Sequence, residues 1–453
     1  MRLRWLFVLL LLTACDGDDE SNPGGAGGNA GTSAGGSAGR GGTGGGGTGG
    51  SAGRGGGSGN AGSSGAGASG GSAGSGGVDA GGGSAGTGGT GGTGGGGTGG
   101  TGGTAGSDAG TAQNFFVYTG SGNGTISIFR MSMPSGALTA AGTADGGNNP
   151  SYLAWDPSHR FLFAVNEGNP GRVVAFSINQ STGALTRLND QPSAGNGPAF
   201  VSVDHTGKFA LVANYASGDQ GTAAVLPIGT DGRLASQVDT ESFGQDSLPH
   251  QIQTGPDNKY AYVPCKGRDI VAQFSFNATS GALNALTPAT VSFPSNTGPR
   301  HMAFSPSGRN AYLVGENNST LTALAVDTAT GRLSSLETEN SLPSGFSGQN
   351  TGADVHVSPD GRFVYSSNRG HNSIAMFSIA ADGRITLVGH TPTGGNTPRN
   401  FHIDPSGQIL LVANQGSNNV VVFRIGSDGK LTNTGNTVSV NSPAFVGVVT
   451  QAQ

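Results

Sequence analysis

A chain of 453 residues with 88 glycines and two cysteines has long stretches that cannot bury a core, and it lacks the cysteines for a disulfide framework. Its formal charge of −5, from 22 basic and 27 acidic residues, gives no electrostatic footing for nucleic acid or an anionic lipid surface.

The chain opens with two arginines, an apolar run from Trp5 to Leu12, and Thr13-Ala14-Cys15. That run is too short to cross about 30 Å of hydrocarbon, so residues 1–14 are expected to be an export signal and not a membrane span. Leu12-Thr13-Ala14-Cys15 looks like a bacterial lipobox, which makes Cys15 the expected lipidation site and the first residue of the mature protein. Cys265 is then left without a partner for an intramolecular disulfide. From Asp16 to about residue 112 the chain is nearly all Gly, Ser, Ala and Thr, as in GGTGGTGGGGTGGTGGT. Nothing in such a segment offsets the entropy of ordering it, and a tether with an r.m.s. reach of roughly 50–60 Å is expected. Residues 15–112 are therefore assigned to the lipidated cysteine and a disordered linker. The protein is expected to be exported and lipid-anchored in the bacterial cell envelope.

Residues 113–453 follow a different pattern. A turn-plus-strand phrase recurs as SGALT, TGALT, DGRLA, SGALN, TGRLS, DGRIT and DGKLT, at intervals of 46 to 52 residues. A second phrase interleaves with it, as in DPSHRFLFAVNE, SPSGRNAYLVGE and DPSGQILLVANQ. A period near fifty with four short strands per unit is the signature of a β-propeller. Within one unit the strands read HMAF, AYLVG, LTALAV and RLSSL, separated by Gly, Pro, Ser, Asn and Asp. NFFVYTG, TISIFRM and GALTAAG supply three strands at the start, and PAFVGVV supplies one at the end. The expected fold is all-β: a seven-bladed propeller of four-stranded blades, closed by pairing of the N- and C-terminal strands. An open solenoid would expose sheet edges and need capping units, which the sequence lacks.

In each unit a tight turn joins the two inner strands at one end. Residues just before the first strand and just after the second therefore meet at the other end, around the central channel. The first position reads Ser151, Ala199, His250, Arg300, Asp354, Arg399 and Ala444, and all but Asp354 follow a proline. The second includes Glu167, Tyr215, Lys266, Glu316, Arg369 and Gln415. Charge is concentrated in units four to six, with Arg399 beside them. A solvated rim of ion pairs is worth little, but a purely structural position would tend to hold one residue type in every unit. The lopsided channel mouth is the candidate ligand site.

Arginines can clamp a carboxylate or phosphate and stabilise an oxyanion, and a Glu or His beside them can act as general base on water. The eight histidines form no close His-x-x-x-His or Cys–His cluster, so no metal is expected. No Gly-x-Ser-x-Gly elbow supplies a serine nucleophile.

These motifs resemble those of the seven-bladed propeller lactonases, the family of 6-phosphogluconolactonase, with a related fungal branch that cycloisomerises carboxymuconate. The resemblance spans about 114–450 and is strongest in GPRHMAFSPSGR, VHVSPDGRFVYSSNRGHNSIAMFSI and the segment around TPRNFHIDPSG. It implies a site free of metal and cofactor, built from His250 in LPHQI, Arg300 in GPRH, Glu316 in GENNST and Arg369 in SNRGH, with Arg399 in TPRNF also matching. By that resemblance the reaction is lactone hydrolysis. Arg300, Arg369 and Arg399 would hold the substrate's anionic group and the developing oxyanion, and His250 or Glu316 would activate water. Asp354, Lys266, Glu167 and Tyr215 would complete the substrate contacts. Departures from the family pattern at Leu248, Cys265 and Ile270 fall in the unit that supplies His250. An exported domain also lies away from the phosphorylated sugar lactone of central metabolism. Two functions stay open: an envelope lactonase, monomeric, acting on a small anionic or sugar lactone, and a catalytically silent propeller presenting its channel mouth to a small ligand or protein.

Overall fold

A period of about fifty residues is the length of one four-stranded antiparallel sheet with its turns, and seven such sheets are present. The computed structural model describes residues 113–216 and 218–452; the export signal, Cys15 and the 15–112 linker fall outside these residues. Blades 2 to 7 each use four consecutive strands, ordered from the axis outward. Blade 1 is composite. Its inner strand is Pro443–Ala452, followed outward by Gln113–Ser121, Thr125–Ser132 and Ala137–Asp145. The register runs from Gln113 opposite Ala452 to Ser121 opposite Pro443, so the two ends of the domain close the ring as the sequence predicted.

The glycine of the recurring turn-plus-strand phrase has a physical reason. Gly331 sits in the left-handed region (φ 72°), and a Cβ there would lie 2.2 Å from the Tyr260 ring of the preceding blade. Tyr262 of that same blade donates its hydroxyl to Gly331 O at 2.8 Å. The pairs Tyr118–Gly183, Tyr312–Gly383 and Tyr365–Gly429 repeat this bond between other blades. The phrase is thus a staple between neighbouring sheets. Between the staples, apolar faces of adjacent blades interlock, as where Phe163, Val165 and Val173 of blade 2 pack with Val201, Val212 and Leu226 of blade 3.

One irregularity recurs on the inner strands and shapes the axis. In blade 5 Pro299 lies opposite Gly315, but Met302 lies opposite Leu313, so one extra residue is inserted. Blades 3, 6 and 7 carry the same register shift, between Pro198 and Phe200, Gly352 and Val355, and Pro398 and Asn400. A β-bulge of this kind re-aims side chains and brings two consecutive residues to one side. The register also corrects one sequence alignment. Gly352 pairs with Asn368 as Pro299 pairs with Gly315. Ala353, not Asp354, is therefore the counterpart of Arg300 and Arg399, and Asp354 corresponds to His301 and Asn400. Blade 6 lacks the proline that marks this position in the other blades, and the alignment slipped by one residue there.

Candidate functional site

Six of the seven residues expected at the first position, Ser151, Ala199, His250, Arg300, Arg399 and Ala444, line a single cavity of about 10 Å³. Such a volume is room for about one water molecule. Their convergence from six different blades places the cavity on the propeller axis, as the hairpin argument requires.

Above it, Glu316 is the hub of an ion cluster. Its backbone is fixed where it follows the strand Asn310–Gly315: Glu316 N–H donates to Gly298 O at 2.8 Å, and Glu316 O accepts from Gly352 N–H at 2.9 Å. Oε1 receives Lys266 Nζ at 2.8 Å and lies 3.1 Å from an Arg369 terminal nitrogen. Oε2 lies 2.9 Å from Arg300 Nε, an ion pair by distance whose N–H is not directed for a hydrogen bond. Burial alone would raise the carboxyl pKa, but Arg369, Arg300 and Lys266 outweigh it and hold the group down at about 2. Burial pulls the Lys266 ammonium down as well, and Glu316 more than restores it, leaving its pKa raised.

The remaining predicted residues divide. Tyr215 joins the cluster: its hydroxyl is 3.4 Å from Lys266 Nζ, and its ring meets the His250 ring edge-on at 5.4 Å. Glu167 stays apart, taking Asn149 Nδ2 at 2.9 Å. Arg399 lines the axial cavity half-buried, with no hydrogen-bond or carboxylate partner among the described residues. His250 is 6% exposed, and its Nδ1 is buried without a partner among the described residues, as is Ser151 Oγ. Burial, then the charge of Arg300, pushes the His250 imidazole well below its usual range, so it is neutral. The blade 4 departures are structural. Cys265 is wholly buried in the apolar seam, its thiol pushed up by burial, and Ile270 packs against the same cluster. Leu248 acts through its backbone, its carbonyl accepting from the Lys266 N–H at 3.0 Å.

Directly beneath lies a second ring that hairpin alternation did not predict, because alternating residues on a regular strand face opposite ways. In blades 1, 3, 5, 6 and 7 an inner-strand bulge brings in the residue after the first position, and Tyr152, just ahead of the inner strand of blade 2, joins them. Tyr152, Phe200 and Phe445 contribute aromatic rings, Tyr152 lying 4.0 Å from Phe200 and 4.8 Å from Phe445 between centroids. His301, Asp354 and Asn400 contribute a hydrogen-bonded chain. His301 Nδ1 donates to Asp354 Oδ1 at 2.8 Å, and Asp354 Oδ2 accepts from Asn400 Nδ2, from His356 Nε2 at 3.1 Å and from Phe401 N–H at 3.3 Å. Asp354, 2% exposed, is therefore part of the floor and not of the mouth. Burial would raise its pKa, but His356 and His301 overcome that and hold it far below the carboxylate range. Burial, then Arg300, lowers His301 to about 4. The signal for these residues was the dipeptide after each proline, Arg300-His301 and Arg399-Asn400, read as a pair.

Lys266, Arg300, Arg369 and Arg399 set four positive charges against the one carboxylate of Glu316, an excess of three, or two with Asp354 beneath. Among the described residues no group of three or more His, Cys, Asp or Glu could hold a metal ion. The arrangement can bind an anion, donate hydrogen bonds to a developing oxyanion and accept a proton on a neutral imidazole.

Residues 115–448 match the family described as lactonase, 7-bladed beta-propeller. The chain is 33% identical over 270 residues to the 6-phosphogluconolactonase of Bacillus subtilis, covering 58% of this chain and 76% of that protein. It is 33% identical over 279 residues to that of Cronobacter sakazakii, covering 61% and 81%. Among solved structures, the periplasmic gluconolactonase of Pseudomonas aeruginosa superposes with a TM-score of 0.70 at 32% identity, over 75% of this chain and 99% of that one. The chain belongs to the seven-bladed β-propeller lactonase family.

Proposed function

We propose that the chain hydrolyses a small lactone that carries an anionic group, at the mouth built around Glu316. The observation behind this reading is the charge excess at the mouth, and above all Arg399, a cation beside the axial cavity with no partner among the described residues. In the reaction a water oxygen attacks the ring carbonyl carbon, negative charge builds on the carbonyl oxygen, the ring C–O bond breaks and the leaving alkoxide takes a proton. Arg399 binds the anionic substituent, and Arg369, whose Nε is buried without an acceptor, donates to the oxyanion. Arg300 and Lys266, held by Glu316, complete the positive field. A carboxylate already committed to three cations, with a pKa of about 2, is a weak base, so Glu316 organises the cations and does not accept the proton.

The substrate class follows from charge and location together. Lactones of sugar acids bearing a carboxylate or phosphate fit the excess of cations. The lipobox-like Leu12–Cys15 supports a position on the outer side of a membrane, anchored through Cys15, and the name of the Pseudomonas aeruginosa relative puts that protein in the periplasm. Acid release by the purified full chain, followed in a pH-stat with 6-phosphoglucono-δ-lactone and glucono-δ-lactone, tests the activity. Turnover well above spontaneous opening is expected, faster on the phosphorylated ring. Rates equal to spontaneous opening on both would refute it. Replacing Cys15 by Ser should move the protein from the membrane to the soluble fraction; retention in the membrane would refute the anchor.

A further inference from the structure

We propose that His301, oriented by Asp354, is the group that takes the proton from the attacking water. This makes the imidazole in the axial floor a catalytic residue and Asp354 its positioning residue. The inference rests on the lactone-hydrolysis reading above.

Three observations converge. First, the tautomer is set. Asp354 sits among hydrogen-bond donors, Asn400 Nδ2, His356 Nε2 and the Phe401 N–H, and an ionised carboxylate can accept only. His301 Nδ1 must therefore carry the proton it gives to Asp354 Oδ1, which leaves Nε2 with its lone pair. Second, that lone pair is only weakly engaged. The neighbouring Arg300 nitrogen lies 3.4 Å from Nδ1 and 3.5 Å from Nε2, a long and nearly equidistant contact that a water at Nε2 can displace. One of that nitrogen's two N–H bonds goes to Ala353 O. Third, His301 lines the water-sized cavity on the axis, with the partnerless His250 Nδ1 and Ser151 Oγ around it. A water in that space has two polar atoms to hold it and the unprotonated nitrogen of the His301 ring to receive its proton.

The two other candidates are worse placed. Glu316 is saturated by cations. His250 faces the charges of Arg300 and Arg399 with no carboxylate to stabilise an imidazolium. His301 faces the same two arginines and His250 from the mouth, and the rings of Tyr152 and Phe200 edge-on at 5.7 and 5.3 Å, but it has Asp354 behind it. Beyond Asp354 lies His356, which borders a separate cavity of about 340 Å³ further along the inner strands. Asp354 is thus held from both sides and cannot swing away. In the step itself the water O–H bond breaks, its electron pair forms the new C–O bond to the carbonyl carbon, and its proton goes to His301 Nε2. When the ring C–O bond breaks, the same proton passes from Nε2 to the leaving alkoxide, so the residue ends as it began.

The test compares wild type with His301→Gln and Asp354→Asn, as full chains, on 6-phosphoglucono-δ-lactone and glucono-δ-lactone. His301→Gln should lower kcat by about 10²- to 10⁴-fold, the usual share of a general base, with KM within about threefold. The wild-type acid limb of kcat/KM, set by the low pKa of His301, should disappear in His301→Gln and shift in Asp354→Asn. Wild-type turnover with His301→Gln within threefold of it would overturn the role of His301 and leave lactone hydrolysis standing. No wild-type turnover on either lactone would overturn both. Ring-nitrogen NMR of wild type at pH 7 needs no variant to fold: Nδ1 protonated with Nε2 bare is expected, and the opposite tautomer or an imidazolium overturns the proposal.

Discussion

Replacing Glu316 by Gln removes one negative charge and almost no volume, and the consequence can be worked out from its neighbours. Arg300 is 2% exposed and shares the carboxylate with Arg369 and Lys266. Without it, these cations repel one another in a partly dry site. The carboxyl pKa falls from an ordinary 4.5 to about 2, a difference that corresponds at 1.36 kcal/mol per unit to roughly 3 kcal/mol in favour of the charged form. Deleting one partner of a buried ion pair costs about 3–5 kcal/mol in other proteins, so both routes agree. Urea unfolding of the full chain should therefore show a lower midpoint with an unchanged m-value, equivalent to a loss of about 3 kcal/mol. Inorganic phosphate should restore part of that loss, because an anion binding the native state at about 100 times its Kd adds about 2.7 kcal/mol. A loss below about 1 kcal/mol, or no greater phosphate response than wild type, would refute the view that Glu316 is the charge hub of the mouth.

Arg399→Ala should raise KM for an anionic lactone by about 10- to 100-fold, the loss of one charge-assisted hydrogen bond, and change KM for an uncharged lactone little; equal effects on both would show that Arg399 does not read the anionic group. Stability should fall on acidification, because His250 and His301 are buried neutral while their unfolded counterparts protonate below pH 6.5. The unfolded chain then binds more protons, so each contributes a loss of up to about 1.4 kcal/mol per pH unit from about pH 6.5 down to the folded value, about 4 for His301. A flat stability profile between pH 6 and 4.5 would contradict the burial of these rings.

The fold was legible because a propeller writes its architecture as a period. Every Gly of the recurring phrase marks a close approach to a side chain of the blade before it, an aromatic ring at five of the seven, so the phrase could not drift. The split blade was readable for the same reason. Three strands at one end and one at the other are incomplete alone and complete together, and Gln113–Ser121 indeed pairs with Pro443–Ala452. The convergence of most first- and second-position residues was legible too, since both positions are fixed by the end of a hairpin, though Glu167 stays apart and Asp354 falls in the floor. Arg300 and Glu316, sixteen residues apart, had to meet.

What the pattern hid is the second tier, and the reason is local geometry. Counting by twos along Pro299–Phe304 sends Arg300 to the axis and His301 to the packed side. The bulge between Pro299 and Met302 cancels that rule for one residue, and a bulge leaves no composition signature beyond the proline beside it. Blade 6 makes the point most sharply. Lacking that proline, it shifted Asp354 onto the mouth in the alignment, whereas the strand register puts it under the mouth, against His301 and Asn400. The repeated scaffold thus supplies side chains to the mouth by hairpin geometry, from six of the seven blades, and a second set to the floor, most of them through the bulge. The first tier carries the positive field, and the second carries the one imidazole with a carboxylate behind it. On this scaffold the two tiers can be changed separately: by the proposal above, substitution at Arg300 or Arg399 alters what binds, and substitution at His301 alters what moves the proton.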